Sequence, residues 1–397
     1  MSNVSEERSV PDASCPIYLA IYMQDLSGGG VERQTLALAN ELHARGLRVT
    51  LLVHEASGEL RGSVPADIRL VELRTRHTWR AVPRIARFIR REQPDVLLAN
   101  LDHNNVAAAL GNLLAGRKTH VVICQHNAMS AAYLRTKGWS HRLIPMAYRL
   151  VSRGFERAVA VSAGTARELR ALAHLSQCKV VVIPNPVIAA DFQLRADRLV
   201  THPWLDQRAA PTFVTVGRLV AVKDHETLLR ALAIYRRQHS GRLLILGAGP
   251  LRESLTALAN QLGLHDAVDF LGFQENPLPY IRRADAFVLS SYFEGFGNVL
   301  VEAFGCGTPV ISTNCEHGPA EILDNGRYGV LVPPRDAQAL ADAMGRVADL
   351  PRLWPPALLK ARAAEFSLVA SASAYLRLFQ SLMPMPRRES PRLPSAA

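Results

Sequence analysis

Short apolar runs alternate with longer helical patterns along most of the chain. This alternation predicts parallel β-sheets covered by helices on both faces. The first series of predicted strands is Ile17–Tyr22, Arg48–Val53, Val96–Ala99, His120–Cys124, Ala158–Val161 and Lys179–Ile183. A second series begins afresh at Thr212–Val216, Arg242–Leu246, Val268–Leu271, Ala286–Leu289, Pro309–Ser312 and Gly329–Val332. The pattern predicts two similar doubly wound α/β domains in tandem.

The break between the two series follows Pro184-Asn185-Pro186. We divide the folded part into a first domain, a polar and irregular linker, a second domain, and a helix expected to cross back to the first domain, at 15–190, 191–207, 208–366 and 367–383. The polar N-terminus and a C-terminal tail rich in Pro, Arg and Ser are expected to be disordered, at 1–14 and 384–397.

Length and composition agree with two folded domains. The 397 residues exceed the roughly 100 to 200 of one ordinary domain, and 48% are apolar against 20% charged. No apolar run reaches the roughly 18 to 20 residues that span a bilayer, and the N-terminus does not resemble a signal peptide. The five cysteines show no C-x-x-C spacing, so neither a disulfide framework nor a zinc site is indicated. We expect a cytoplasmic protein.

Positive charge is concentrated in the first half of a chain whose net charge is +11. Two basic clusters contribute, namely Arg74, Arg76, Arg80, Arg84, Arg87, Arg90 and Arg91, and Arg135, Lys137, Arg142, Arg149, Arg153 and Arg157. Such a face fits an anionic membrane surface, at roughly 1 kcal/mol per basic residue near the lipid. A solvated arginine-rich helix face is the alternative. Nucleic acid is not expected, because no nucleic-acid-binding motif accompanies the charge.

Candidate chemistry follows the predicted strands, because ligands of open parallel sheets bind beyond the carboxyl ends of the strands. Gly29 and Gly30 follow the first strand and open a helix, where backbone N–H groups can approach a phosphate or a sugar. A tight turn without a ligand would also use these glycines. His126 follows a later strand directly. It is either a ligand-facing side chain or a hydrogen-bonded structural histidine.

Two cations and a glycine turn follow strands of the second domain. Arg218 and Lys223 lie beside a helix start, where Arg by bidentate bonding and Lys as a point charge suit a diphosphate; an accidental surface pair is the alternative. Gly247-Ala248-Gly249-Pro250 resembles a dinucleotide fingerprint, but Arg252 occupies the position of the third glycine. We expect a close turn near a nucleotide there and not a nicotinamide site.

The strongest chemical signal is Glu294-Gly295-Phe296-Gly297-Asn298-Val299, which leads into an apolar helix that contains Glu302. A carboxylate on such a helix needs partners, because an unpaired one would cost several kcal/mol or shift its pKa. Ribose hydroxyls would serve Glu302. The free N–H groups around Gly297 to Val299 favour a phosphate. The alternatives are a salt bridge or helix cap for Glu302 and an exposed loop acid for Glu294.

These residues resemble the retaining glycosyltransferases of the GT-B fold, specifically their large family 4. The resemblance runs from Ile17 to about Leu382 and depends most on Glu294 and Glu302 at their spacing. Further matching positions are Gly28-Gly29-Gly30-Val31-Glu32, His126-Asn127, Val161-Ser162, Ile183-Pro184-Asn185, Gly217-Arg218, Lys223 and Gly307-Thr308-Pro309-Val310. The resemblance implies two Rossmann-like domains that face each other across a cleft.

The resemblance also implies roles for the candidate residues. Arg218 and Lys223 would bind the donor diphosphate, and Glu302 would hold the ribose. Glu294 and His126 would be catalytic residues that contact the donor sugar from opposite domains. The other expected donor-binding positions are Gly29, Gly30, Gly247, Phe296, Gly297, Asn298 and Val299.

The implied activity is transfer of a hexosyl unit, with retention, from a nucleotide sugar to a glycan or lipid-linked acceptor in bacterial surface polysaccharide synthesis. A UDP-sugar is the preferred donor. No metal or other cofactor is expected, and the sequence has no Asp-x-Asp. A peripheral position on the inner face of the cytoplasmic membrane would agree with the basic first domain. The alternatives are a sugar-nucleotide epimerase of the same fold and a non-catalytic partner subunit that binds nucleotide or lipid.

Overall fold

Two separate parallel β-sheets form the framework of the molecule. The computed structural model describes residues 16–27, 29–126, 144–350 and 353–383. The two predicted disordered ends lie outside the described residues. So do the candidate positions Gly28, Asn127, Arg135, Lys137 and Arg142.

The first sheet has seven parallel strands among the described residues, in the order β3-β2-β1-β4-β5-β6-β7. Its strands are β1 Tyr18–Met23, β2 Arg48–Val53, β3 Arg69–Glu72, β4 Val96–Asn100, β5 His120–Gln125, β6 Arg157–Ala160 and β7 Val180–Val182. All residues of β1 and β4 are buried. Apolar runs of this kind are required where helices cover both faces of a parallel sheet.

The second sheet repeats the arrangement with six parallel strands in the described part of the chain, in the order β10-β9-β8-β11-β12-β13. Its strands are β8 Thr212–Val216, β9 Arg242–Leu246, β10 Val268–Gly272, β11 Ala286–Leu289, β12 Val310–Thr313 and β13 Val330–Val332. In each sheet the strand order reverses beside the first strand, at β1 and β8, which is where ligands bind in such folds. The prediction of two doubly wound α/β domains is confirmed.

Helices connect the strands and close both cores. Alternate residues of β1 divide between two hydrophobic clusters, with Leu19 and Ile21 in one and Ala20 and Tyr22 in the other. The helices are α1 Gly30–Ala44, α2 Thr78–Glu92, α3 Asp102–Leu114, α4 Ile144–Leu150, α5 Ala163–Ala173, α6 Phe192–Ala196, α7 Pro203–Gln207, α8 His225–Tyr235, α9 Arg252–Gln261, α10 Leu278–Arg283, α11 Asn298–Cys306, α12 Pro319–Ile322, α13 Ala337–Asp349, α14 Pro356–Ala364 and α15 Leu368–Leu382. None in the described ranges is both long and apolar enough to cross a bilayer.

One strand, β3, is absent from the sequence prediction. It lies at the edge of the first sheet, and its four residues are exposed or only partly buried. An edge strand pairs on one side only and can keep polar side chains, so Arg69–Glu72 carries no apolar run by which to recognise it. The bounds of several other strands differ from the predicted ones by a residue or two, as is usual for element ends.

Residues 191–207, interpreted from the sequence as an irregular linker, contain the helices α6 and α7. Their apolar residues Phe192 and Leu205 are buried in the core that includes the second sheet. The Gln193 amide donates to the Gly305 carbonyl of α11, 3.1 Å away. Because each helix spans five residues, neither is long enough to show a clear periodicity. The segment packs as part of the second domain.

The C-terminal helix α15 packs against the first domain. Its Ser373 Oγ accepts a hydrogen bond of 2.7 Å from the Arg45 guanidinium, at the end of α1. The hydroxyl of its Tyr375 lies 3.4 Å from Cys124 Sγ in β5. The backbone crosses between the domains beside this helix, where the N–H groups of Val187 and Ile188 both donate to the Phe366 carbonyl. These contacts join the two domains at the end of the chain.

Candidate active site

The loops that follow β8 and β9 touch each other at the carboxyl edge of the second sheet. Gly247 has φ +144°, and a Cβ there would lie 1.9 Å from the Gly217 carbonyl oxygen. The Leu219 N–H also donates to the Ala248 carbonyl at 3.0 Å. Only glycine permits this approach, since it has no Cβ and adopts positive φ readily. The contact fixes the backbone on both sides of Arg218.

Lys223 and Glu294 form an ion pair at this edge. Lys223 Nζ lies 2.6 Å from Glu294 Oε1, and the side chains are only 21% and 11% exposed. The same carboxylate oxygen accepts a hydrogen bond of 2.7 Å from Ser291 Oγ. Lys223 is the last residue of a short 3-10 helix, and its carbonyl oxygen accepts a hydrogen bond from Ser290 Oγ. The pair is therefore held in place by the loop after β11.

Arg218 is exposed, in contrast to Lys223. Within the described residues its guanidinium makes no hydrogen bond or ion pair. A guanidinium without a protein partner keeps its donors for an external anion.

The segment from Glu294 to Asn298 ends at the N-terminus of α11. Gly297, with φ +99°, precedes the helix in a left-handed conformation and provides no side-chain cap. The first N–H groups of α11 therefore stay available to an anion. Phe296 is 4% exposed and packs edge-on against Phe366, with ring centroids 5.6 Å apart. Phe296 thus anchors the segment in the core.

Glu302 lies about one turn inside α11. It is partly buried, and burial raises the pKa of its carboxyl, while the nearby Arg195 opposes this rise. No hydrogen bond to its carboxylate occurs in the described part of the chain. Burial without a protein donor is costly for a carboxylate, so the position favours a ligand that brings hydroxyl donors.

His126 follows β5 in the first domain and is held between two asparagines. Its Nδ1 lies 3.2 Å from Asn185 Oδ1, and its Nε2 lies 3.0 Å from Asn100 Oδ1. Burial lowers the pKa of His126 to about 4, although the contact with Asn185 opposes the shift. The imidazole is therefore neutral at physiological pH.

One cleft brings residues of both domains together. Its volume is about 300 Å³, and its lining includes Gly30, His126, Lys223, Glu294, Phe296, Gly297, Asn298 and Val299, all predicted from the sequence. Four other predicted positions lie outside this lining, namely Gly29, Arg218, Gly247 and Glu302. Gly29 directly precedes α1, and a Cβ there would meet the Glu32 carboxylate at 2.3 Å.

The two domains also contact each other beside the cleft. The Glu321 carboxylate accepts hydrogen bonds of 2.7 Å and 2.8 Å from the N–H groups of Ala163 and Gly164, at the start of α5. The Gly295 carbonyl accepts from the hydroxyls of Ser162 and Thr165. Glu321 thus satisfies the free donors of a helix in the other domain.

Two family models match most of the chain. The model of "Glycosyltransferase Family 4" matches residues 28–190, and that of "Glycosyl transferases group 1" matches residues 210–349. The chain belongs to the family 4 glycosyltransferases. The resemblance inferred from the residues is confirmed.

Known proteins agree with this assignment. This family 4 glycosyltransferase is 29% identical over 382 residues to a lipopolysaccharide core biosynthesis glycosyltransferase of Rhizobium meliloti, an alignment that covers 89% of this chain and 96% of the relative. An Anabaena protein solved in complex with UDP superposes with a TM-score of 0.75 at 20% identity, covering 92% of this chain and all of the other. A lipopolysaccharide outer core galactosyltransferase in its apo form gives a TM-score of 0.74 at 19% identity, covering 92% and 99%. These structures share its GT-B fold.

Sequence reasoning gave no role to several polar residues of this glycosyltransferase. Asn100 is the last residue of β4, and Ser291 follows β11 by two residues. Their position after strands is the signal that could have found them. Glu321 gave no such signal, because its partners lie in another domain.

Proposed function

We propose that this enzyme transfers a hexosyl unit, with retention of anomeric configuration, from a nucleotide sugar to a glycan or lipid-linked acceptor of a bacterial surface polysaccharide. The Rhizobium meliloti relative, a lipopolysaccharide core biosynthesis glycosyltransferase, supports the polysaccharide context. The Anabaena neighbour that holds UDP supports a UDP-sugar as donor. The proposal depends most on one observation, which is that the Lys223–Glu294 pair lies in a cleft that is also lined by the uncapped start of α11.

The donor diphosphate would bind where positive groups converge. Lys223 lines the cleft, and the uncapped start of α11 at Asn298 and Val299 lines the same cleft. Arg218 follows β8 on the neighbouring loop and is exposed. Groups of this kind stabilise the negative charge that develops on a departing diphosphate, which is usually the largest catalytic contribution. Glu302, without a protein donor, would take the ribose hydroxyls.

The sugar would lie between Glu294 and His126. The bond from the anomeric carbon to the diphosphate breaks while the acceptor oxygen attacks from the same face, and the acceptor proton passes to the departing phosphate oxygen. A neutral His126 beside the sugar adds no positive charge near an oxocarbenium-like carbon. This route needs neither a metal nor a covalent intermediate with the enzyme. Packing of the two domains around the donor would exclude water.

The exposed face of α2 would hold an anionic membrane surface near the acceptor. Arg80, Arg87 and Arg91 are exposed on this helix, and Trp79 is 69% exposed beneath the Arg80 guanidinium. Leu114, 57% exposed, accepts a hydrogen bond from Arg90 through its carbonyl and adds an apolar group. Arginine with tryptophan and leucine is typical of surfaces at the lipid headgroup level.

Thermal unfolding of the purified protein tests the donor site. UDP, GDP, ADP and their sugar conjugates are compared, each with and without EDTA. We expect the midpoint to rise with the uridine series and to stay unchanged by EDTA, because a ligand bound only by the folded state stabilises it. No rise with any nucleotide would contradict the proposal and favour a non-catalytic partner subunit. Release of a free epimer without acceptor would instead favour an epimerase.

A further inference from the structure

The start of α5 in the first domain touches two loops of the second domain. The N–H groups of Ala163 and Gly164, the first two residues of this helix, lie 2.7 Å and 2.8 Å from the two carboxylate oxygens of Glu321. The hydroxyl of Thr165 lies 3.2 Å from the Gly295 carbonyl oxygen. An α-helix leaves its first N–H groups without backbone partners, so a carboxylate here satisfies them and interacts favourably with the helix dipole.

The close approach of the domains at this helix also requires a glycine. A Cβ at Gly164 would lie 2.5 Å from His317 Nδ1 and 3.0 Å from His317 Cα, in the loop that precedes Glu321. The imidazole can turn aside, but the Cα atom is part of the backbone and moves only with its loop. Helix and loop thus fit together without room for a methyl group.

The loop that carries Glu321 is joined to the segment from Glu294 to Asn298 within the second domain. Gly318 has φ +108°, and a Cβ there would lie 1.8 Å from the Phe296 carbonyl oxygen. Only glycine permits this contact, since it has no Cβ and adopts positive φ readily. A shift of the Glu321 loop relative to α5 is therefore also a shift of the segment that carries Glu294.

In the first domain the start of α5 lies beside His126. The parallel strands β5 and β6 are paired, with Gln125 opposite Ala160. His126 follows Gln125 directly, and Ser162, the N-cap of α5, follows Ala160 by two residues. Because paired strands lie about 4.8 Å apart, both residues leave the same edge of the sheet close together. The contact at α5 therefore links the surroundings of His126 to those of Glu294.

Other contacts join the domains at the chain crossing and at α15, such as those of Val187 and Ile188 with Phe366. These segments belong to the covalent connection between the domains, which persists when the angle between the domains changes. The partners at α5 lie more than a hundred positions apart along the chain, so their noncovalent contact holds them together. Separation of the domains must break this contact.

We propose that the start of α5 is the docking point that sets how the first domain meets the second, with Glu321 as its positioning residue. Glu321 does not line the cleft. It acts by holding His126 of the first domain opposite Glu294 of the second. The effect of this docking on sugar transfer rests on the proposed function, whereas its effect on the arrangement of the domains does not.

Three substitutions weaken the docking point without unfolding α5. Glu321→Gln removes the charge and leaves one acceptor oxygen for two N–H groups. Ala163→Pro removes one donor at the first helical position, where proline is favoured, and Ser162 already has the extended conformation that proline requires of its predecessor. Gly164→Ala adds a methyl group against His317, although alanine favours a helix more than glycine does.

Distances between spin labels on the two domains of the full chain measure the arrangement. The labels replace Lys118 and Arg237, which are exposed on the first and second domain, in a chain where Cys15 and the exposed Cys178 are serine. We expect one principal distance without further changes. Each substitution should raise the ratio of separated to docked chains at least about tenfold, because hydrogen bonds to a charged group contribute that much.

The combination of Glu321→Gln with Gly164→Ala is the decisive variant, since the two changes act by different means. An unchanged distance distribution in this variant would overturn the proposal. Glu253→Gln, at an exposed acid in the first turn of α9, and Gly345→Ala, where an added Cβ meets nothing within 4 Å, are the matched controls and should leave the distances unchanged. Thermal unfolding shows that each variant is folded.

Nucleotide binding and donor consumption separate positioning from a general structural role. The expected donor-binding groups Arg218, Lys223 and Glu302 lie in the second domain, so Glu321→Gln should change the Kd for UDP by less than about threefold while the rate of donor consumption falls at least about tenfold. Equal losses of both would overturn the positioning role. A chain that consumes no nucleotide sugar would contradict the proposed function, and the label distances would still test the docking point.

Discussion

The candidate residues of the site differ in their environments. Lys223 and Glu294 neutralise each other in the cleft, Arg218 is exposed, and Glu302 is partly buried without a protein donor. Diphosphate binding would draw Lys223 from Glu294 toward the phosphates and free the carboxylate to face the sugar. When no nucleotide sugar is bound, the ion pair gives each of these two charged groups a partner of opposite charge.

Removal of either Lys223 or Glu302 should weaken nucleotide binding while the fold survives. A charge-assisted hydrogen bond contributes ~1.5–3 kcal/mol, so Lys223→Ala and Glu302→Ala should each raise the Kd at least about tenfold. Titration calorimetry with the nucleotide that stabilises the wild type measures this. Lys118→Ala, an exposed change before the amino end of β5, is the control. Wild-type affinity in folded Lys223→Ala and Glu302→Ala variants would refute the site.

Among the elements, the strands made of buried apolar residues were predictable from the sequence. The elements that form only through contacts with other parts of the structure were not. Strands such as Arg242–Leu246 carry their own apolar run. Arg69–Glu72 forms a strand because β2 offers it hydrogen-bonding partners, and α6 and α7 form because the second domain buries Phe192 and Leu205. These causes lie in the tertiary structure and leave no periodicity in the sequence.

Helix α2 offers a prediction at this scale. Its exposed arginines should bind vesicles that contain phosphatidylglycerol at low salt and release them at high salt, since the screening length of surface charge falls from ~30 Å at about 0.01 M salt to ~3 Å at about 1 M. Charge reversal at Arg87 and Arg91 together should weaken binding at least about tenfold, at ~1 kcal/mol for each basic residue. Vesicle co-sedimentation measures the affinity.

The matched control reverses Arg237 and Arg346, which are exposed on the second domain. An equal loss of vesicle binding in this control would indicate a response to net charge alone. Equal binding of the wild type to neutral phosphatidylcholine vesicles would contradict the assignment of α2.

At the scale of the whole molecule, the site exists because two domains meet. His126 follows a strand of the first sheet, and Lys223 and Glu294 follow strands of the second. Their positions after strands were predictable from the sequence, but the sequence does not show that they share one cleft. The contacts of Glu321 with α5 and of Asn185 with Asn298 join residues more than a hundred positions apart. Motif positions were therefore predictable, whereas the cross-domain hydrogen bonds required the structure.

Retention of configuration by this enzyme can be tested by donor hydrolysis, without knowledge of the acceptor. When water takes the place of the acceptor, the sugar is released, and proton NMR resolves the anomer released first, before mutarotation. With the α-linked nucleotide sugar that gives the largest thermal stabilisation, we predict initial release of the α-anomer. Initial release of the β-anomer would contradict retention of configuration.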